Sequence, residues 1–175
     1  MEASAGKFKV NIIKWLDLIG NTLNDLRDEE LTERDSTSMK AAIAIVELMK
    51  SEVLIHHFIR GHAHWDMIAK RDLKFVTEEI PKIYGKEAID VDSITEPPKI
   101  YLKLQKDGYK GSKKEADWPI NSEDINQQWK LFDAFAVLAC RYIKARLTHP
   151  PKVLEEIDSI IKQIDLPKYE KLFKV

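Results

Sequence analysis

Apolar side chains recur every three or four positions in five stretches of this chain, the spacing that gathers them on one face of an α-helix. In the first, Phe8, Ile12, Trp15, Leu16, Ile19, Leu23 and Leu26 share a stripe from which Lys14, Asp17, Asn24 and Asp25 are absent, predicting a helix over 8–26. The run Arg27–Asp35, with five carboxylates against two arginines, is expected to be a solvated connection. Next, Met39, Ile43, Val46, Met49, Val53 and Phe58, widened by Ile45, Leu48 and Ile55, predict a central helix. Asp35, Ser36 or Thr37 would cap its start and Gly61 would stop it. A third helix is expected over 62–80, with Trp65, Ile68, Phe75 and Val76 on its inner face and Pro81 ending it.

The fourth helix is the clearest. Asn121 or Ser122 caps it, Glu123 and Asp124 occupy the first turn, and Arg141, Lys144 and Arg146 lie towards the end where cations complement the helix dipole. Ile125, Trp129, Phe132, Ala136, Ala139, Cys140 and Ile143 form its apolar side. After Pro150-Pro151, the residues Val153, Leu154, Ile157, Ile160, Ile161 and Ile164 predict a fifth helix. Leu166-Pro167 would end it, leaving Tyr169, Leu172 and Phe173 as an apolar turn that docks back. Residues 82–98 carry a mixed pattern and 97–119 an irregular one. The expected fold is therefore all-α: one domain over 1–175, a bundle or array of about five helices with the 97–119 segment inserted between the third and fourth.

Composition narrows the classes. Hydrophobic residues make up 44% and charged residues 33% of the 175, which fits a folded domain rather than a disordered chain. With 28 Lys and Arg against 29 Asp and Glu, no overall field draws the chain to nucleic acid or an acidic membrane. No run of about 18 apolar residues is present, so no membrane span is expected. Cys140 is the single cysteine, which leaves no internal disulfide, and its apolar surroundings read as a packed thiol. The polar stretch Met1–Gly6 does not resemble a signal peptide, and a reducing, cytoplasmic setting is expected.

Four of the five histidines crowd into 56–64, ahead of Asp66, so that His57, His62, His64 and Asp66 form a candidate zinc-ligand set. The string His62-x-His64-x-Asp66 departs from the metallo-β-lactamase signature at Met67, where that signature carries another histidine, and no fixed helical spacing brings the four together. Imidazoles packed at a helix end are the competing account. Asp90-Val91-Asp92 lacks the strand that precedes metal-binding Asp-x-Asp pairs in sugar transferases. Phosphate-cradling glycine loops and Gly-x-Ser-x-Gly elbows are missing from the chain. No cofactor is expected and the chain is not expected to be an enzyme.

The remaining concentration of recognition chemistry is in the insert. Lys103, Lys106, Lys110, Lys113 and Lys114, interleaved with Tyr101, Tyr109 and Trp118, would suit an acidic partner or, less directly, nucleic acid. Two strings resemble the texture of small helical proteins of large cytoplasmic DNA viruses. They are Phe58-Ile59 with Trp65-Asp66-x-Ile68-x-x-x-Asp72-x-x-Phe75, and Ile120-Asn121-Ser122-Glu123-Asp124 with Trp129-x-x-Phe132. The resemblance covers under half the chain, assigns no site residue and implies a virion or assembly role. The functional expectation is a non-enzymatic helical interaction or structural protein that works in a larger assembly, through protein partners or self-association. The alternatives are a small metal-binding protein or enzyme built on the histidine cluster and, more weakly, nucleic-acid binding by the lysine loop.

Overall fold

A computed structural model describes residues 1–25, 40–71 and 122–175. These residues form seven α-helices and one 3-10 turn, with no strand among them: α1 Glu2–Asp25, α2 over 40–48, α3 Ser51–Arg60, the turn His62–His64, α4 Trp65–Ala69, α5 Ser122–Thr148, α6 Glu156–Ile161 and α7 Leu166–Phe173. The helical class is as the periodicity predicts. The count exceeds five because the predicted central helix is split in two and the expected C-terminal turn is a helix of its own.

The central helix breaks at Lys50, whose backbone is extended (φ −66°, ψ 134°). Ending α2 there leaves carbonyls without helical partners. The Lys9 ammonium of α1 reaches across to two of them, donating to Glu47 O at 2.7 Å and Met49 O at 2.9 Å. A cation at a helix C-terminus also meets the negative end of its dipole. Gly61 does stop α3, but at φ −81° it does so without the left-handed conformation that a C-terminal glycine usually supplies. The expected third helix is likewise short. After the 3-10 turn, α4 ends at Ala69 and Arg71 takes a left-handed backbone (φ 58°), unfavourable for any residue with a Cβ. A bidentate pair from Arg71 to Asp133 Oδ1 and Oδ2 (2.7 and 2.6 Å), with the guanidinium 5.4 Å from the Trp129 ring, holds that conformation. The rest of the expected helix, 72–80, lies outside the described residues.

The fifth predicted helix is shorter than expected, and a separate helix follows it. Val153 and Leu154, expected on its inner face, are 78% and 60% exposed in a non-helical segment, and α6 begins only at Glu156. Leu166-Pro167 starts α7 rather than ending a helix: proline is tolerated in a first turn, where its missing N–H leaves no bond unmade, and the Asp165 carboxylate accepts from Lys168 N at 3.2 Å.

Helix α1 lies against α3 and α5, and α5 also receives α3, α4 and α7. Phe8 meets Phe135 with ring centroids 5.0 Å apart and Trp15 meets Phe132 at 5.3 Å, so α1 and α5 run antiparallel. The core is aromatic and continuous: Phe58 packs on Phe8 (5.4 Å) and Trp65 (5.3 Å), and Trp65 on Tyr169 of α7 (5.1 Å). Tyr169 Oη also donates to His62 O at 3.1 Å, and Lys168 pairs with Asp66 at 2.7 Å, so the C-terminal turn docks back as its apolar residues predict. Trp15, Trp65 and Trp129 are all buried.

Candidate functional site

Along the outer edge where α1 meets α5, small residues leave a trough. Ala3, Lys7, Val10 and Lys14 follow one another at spacings of four and three, the period of one helical face, and opposite them run Ala134, Val137, Leu138 and Arg141. Ala3, Gly6 and Ala134 carry too little side chain to close the gap between the helices. The result is a hollow of about 820 Å³ floored by apolar groups, with Val10 half exposed in its wall. A smaller hollow of about 440 Å³ continues it past Lys14 between Leu18 and Leu131. From Ala3 to Leu18, at 1.5 Å rise per residue, the groove is about 22 Å long, the length of about four helical turns.

Gly6 stands in the interior of α1, where glycine is unfavourable relative to alanine by roughly 0.5–1 kcal/mol. An added Cβ would meet no atom within 4 Å, so packing does not require a glycine there; what its absence preserves is the depth of the trough. The rim is basic. Lys7, Lys14, Lys130 and Arg141 are all exposed; among the described lining residues the acids are Asp133, already committed to Arg71, and Asp17. The charged groups stand on the rim, not converging from the floor, which is unlike the buried, fixed donors that orient a small ligand.

A second feature is a buried polar network at the other side of α5. Arg146 is 5% exposed and donates to Asp158 Oδ1 (2.6 Å), Asp158 Oδ2 (3.0 Å), Glu155 Oε2 (3.1 Å) and Tyr142 Oη (3.1 Å). Asp158 Oδ2 accepts in addition from Glu155 N at 2.7 Å, tying off the start of α6. The Tyr142 hydroxyl, which accepts from Arg146, also shares a hydrogen bond with His56 Nε2 at 2.7 Å. Burial, with the Arg146 charge second, lowers the His56 pKa from 6.5 to about 4. Burial also raises Tyr142, while the hydrogen bonds of Arg146 hold the Asp158 carboxyl below its ordinary range. A neutral imidazole and a protonated phenol fasten α3 to α5, and the ion pair fastens α6 to α5; neither pKa shift creates a nucleophile or base. Cys140 is fully buried, and that burial lifts its thiol to about 12, in keeping with packing.

The histidine set does not assemble. His57 is 3% exposed, His62 Nδ1 bonds Ile59 O at 3.1 Å, and Asp66 is paired with Lys168. No group of three or more His, Cys, Asp or Glu side chains among the described residues is placed to hold a metal. Tyr101, Lys103, Lys106, Tyr109, Lys110, Lys113, Lys114 and Trp118 lie outside the described residues. Among the described residues no helix is long and apolar enough to cross a membrane.

The sequence reading starts the first helix at Phe8, six residues after its first residue Glu2, and so leaves out part of one wall of the groove; the spacing Ala3, Lys7, Val10, Lys14 is the available signal. Arg146 was expected only as a cation near the helix C-terminus; its burial was not foreseen, since helix period alone does not say which helix will cover a late turn. No protein family, curated protein or solved structure matches the chain.

Proposed function

We propose that this protein is a helical interaction protein of a larger assembly, and that the α1–α5 groove receives an apolar-faced helix of a protein partner. The observation that supports this most is Gly6: a residue that weakens its own helix stands where alanine would fit, and the space it leaves belongs to the groove. A helix-sized trough with an apolar floor and a charged rim is the form in which one helix accepts another. The chemistry elsewhere fits the same reading, because the titratable groups of the buried network are paired with one another and serve as fasteners.

The test uses the full chain and two variants. Gly6→Leu fills the trough, and Leu48→Ser alters an 89% exposed apolar residue on α2, away from it. Proteins that co-purify quantitatively with the parent chain should be depleted about tenfold by Gly6→Leu, as for loss of a central interface contact, and retained by Leu48→Ser. Identical recoveries for all three chains contradict the proposal.

A further inference from the structure

We infer that the occupant of the groove is an amphipathic helix of about four turns whose flanks are acidic. This rests on the docking reading above and adds the chemistry of the partner. Among the described residues four exposed cations, Lys7, Lys14, Lys130 and Arg141, line the two edges against one uncommitted carboxylate, Asp17, because Asp133 is held by both guanidinium nitrogens of Arg71. The cations are spread along both banks rather than gathered at one end, so they match carboxylates placed on both sides of an apolar stripe. Such pairs remain at the solvated rim, where they select the partner and speed its approach while apolar contact with the floor supplies affinity. A basic helix would meet like charge along its whole length.

Three synthetic helical peptides of about 16 residues test it, each with leucines at positions i, i+3, i+4 and i+7 and flanks of Glu, Gln or Lys. Each is titrated into the isotope-labelled full chain and the shifted amide resonances are mapped. The Glu-flanked peptide should move residues on both sides of the groove and bind about tenfold tighter than the Gln-flanked one, an advantage that fades as salt is raised. The Lys-flanked peptide should not bind, and Lys7→Glu combined with Arg141→Glu should reverse the order. Equal binding of all three peptides in the groove overturns the acidic occupant while leaving the docking reading standing. No groove shift with any peptide overturns both. Groove shifts that depend on protein concentration with no peptide present overturn the partner helix in favour of a second copy of the chain.

Discussion

Replacing Arg146 by methionine keeps most of the side-chain volume and removes the charge, leaving Asp158 to bear the consequence. Its carboxylate is 9% exposed and would retain only the Glu155 amide of its three present donors. Stranding one partner of a buried pair costs about 3–5 kcal/mol, more than the net worth of the intact pair, because the remaining charge is desolvated without compensation. For a chain of this size that corresponds to a fall of about 6–20 °C in Tm. Urea unfolding followed by far-UV circular dichroism and by tryptophan fluorescence measures it. Glu155→Gln should cost under about 1 kcal/mol, since Glu155 is 59% exposed and its pairing with Arg146 is weakened by solvent. Arg146→Met with Asp158→Asn should recover more than half the loss, because no charge is then buried alone and the Glu155 amide keeps an acceptor. The pH dependence fixes the sign. Arg146 holds the native Asp158 pKa below its ordinary 3.8, so the pair's stabilisation is complete above that value and is lost as pH falls through the lower native pKa. The gap between parent and Arg146→Met is therefore constant near neutrality and narrows in acid. A loss under about 1 kcal/mol, or one unchanged down to pH 3, refutes a buried charge pair as the fastener of α6.

His56 should titrate near 4 by NMR. Because the unfolded imidazole takes its proton near 6.5 and the native one does not, stability is full above that range and falls as pH drops from 6.5 to 4; a midpoint at 6 or higher contradicts its burial beside Arg146. Cys140 should resist a thiol reagent in the native state and react on unfolding, and fast stoichiometric labelling would contradict its burial. Lys9→Met should lower stability by about 1 kcal/mol, read from urea midpoints, by uncapping α2; no change would mean that water replaces the ammonium equally well. Trp65→Ala, which removes the contact between α4 and α7, should cost about 3–5 kcal/mol in the same assay, and a loss below 1 kcal/mol would contradict the docking of α7.

The stripe Trp129, Phe132, Ala136, Ala139, Cys140 and Ile143 was legible in the sequence because it is long, regular and bounded by a capping signal, and every one of those side chains is buried. The interruptions were not. Lys50 is an ordinary helix former, and the chain parts there where a lysine some forty positions earlier takes up the freed carbonyls, a contact that periodicity does not encode. Arg71 is likewise held in its left-handed backbone by Asp133, on another helix. Val153 and Leu154 continue the fifth pattern on paper, yet Arg146 holds Glu155 and Asp158 so that α6 starts after them. The groove needed two helices placed side by side, and each edge alone reads only as small and basic residues at helical spacing.

The most direct measurement is Tm and affinity for the Glu-flanked peptide, taken together on the parent chain and on Gly6→Ala and Gly6→Leu. Both replacements should raise stability, by roughly 0.5–1 kcal/mol for alanine, because glycine weakens a helix interior and the added carbon meets open space. Affinity should fall in step as the trough fills, with leucine lowering it about tenfold. Stability and binding that rise together, or binding untouched by leucine at position 6, would contradict a docking groove between α1 and α5.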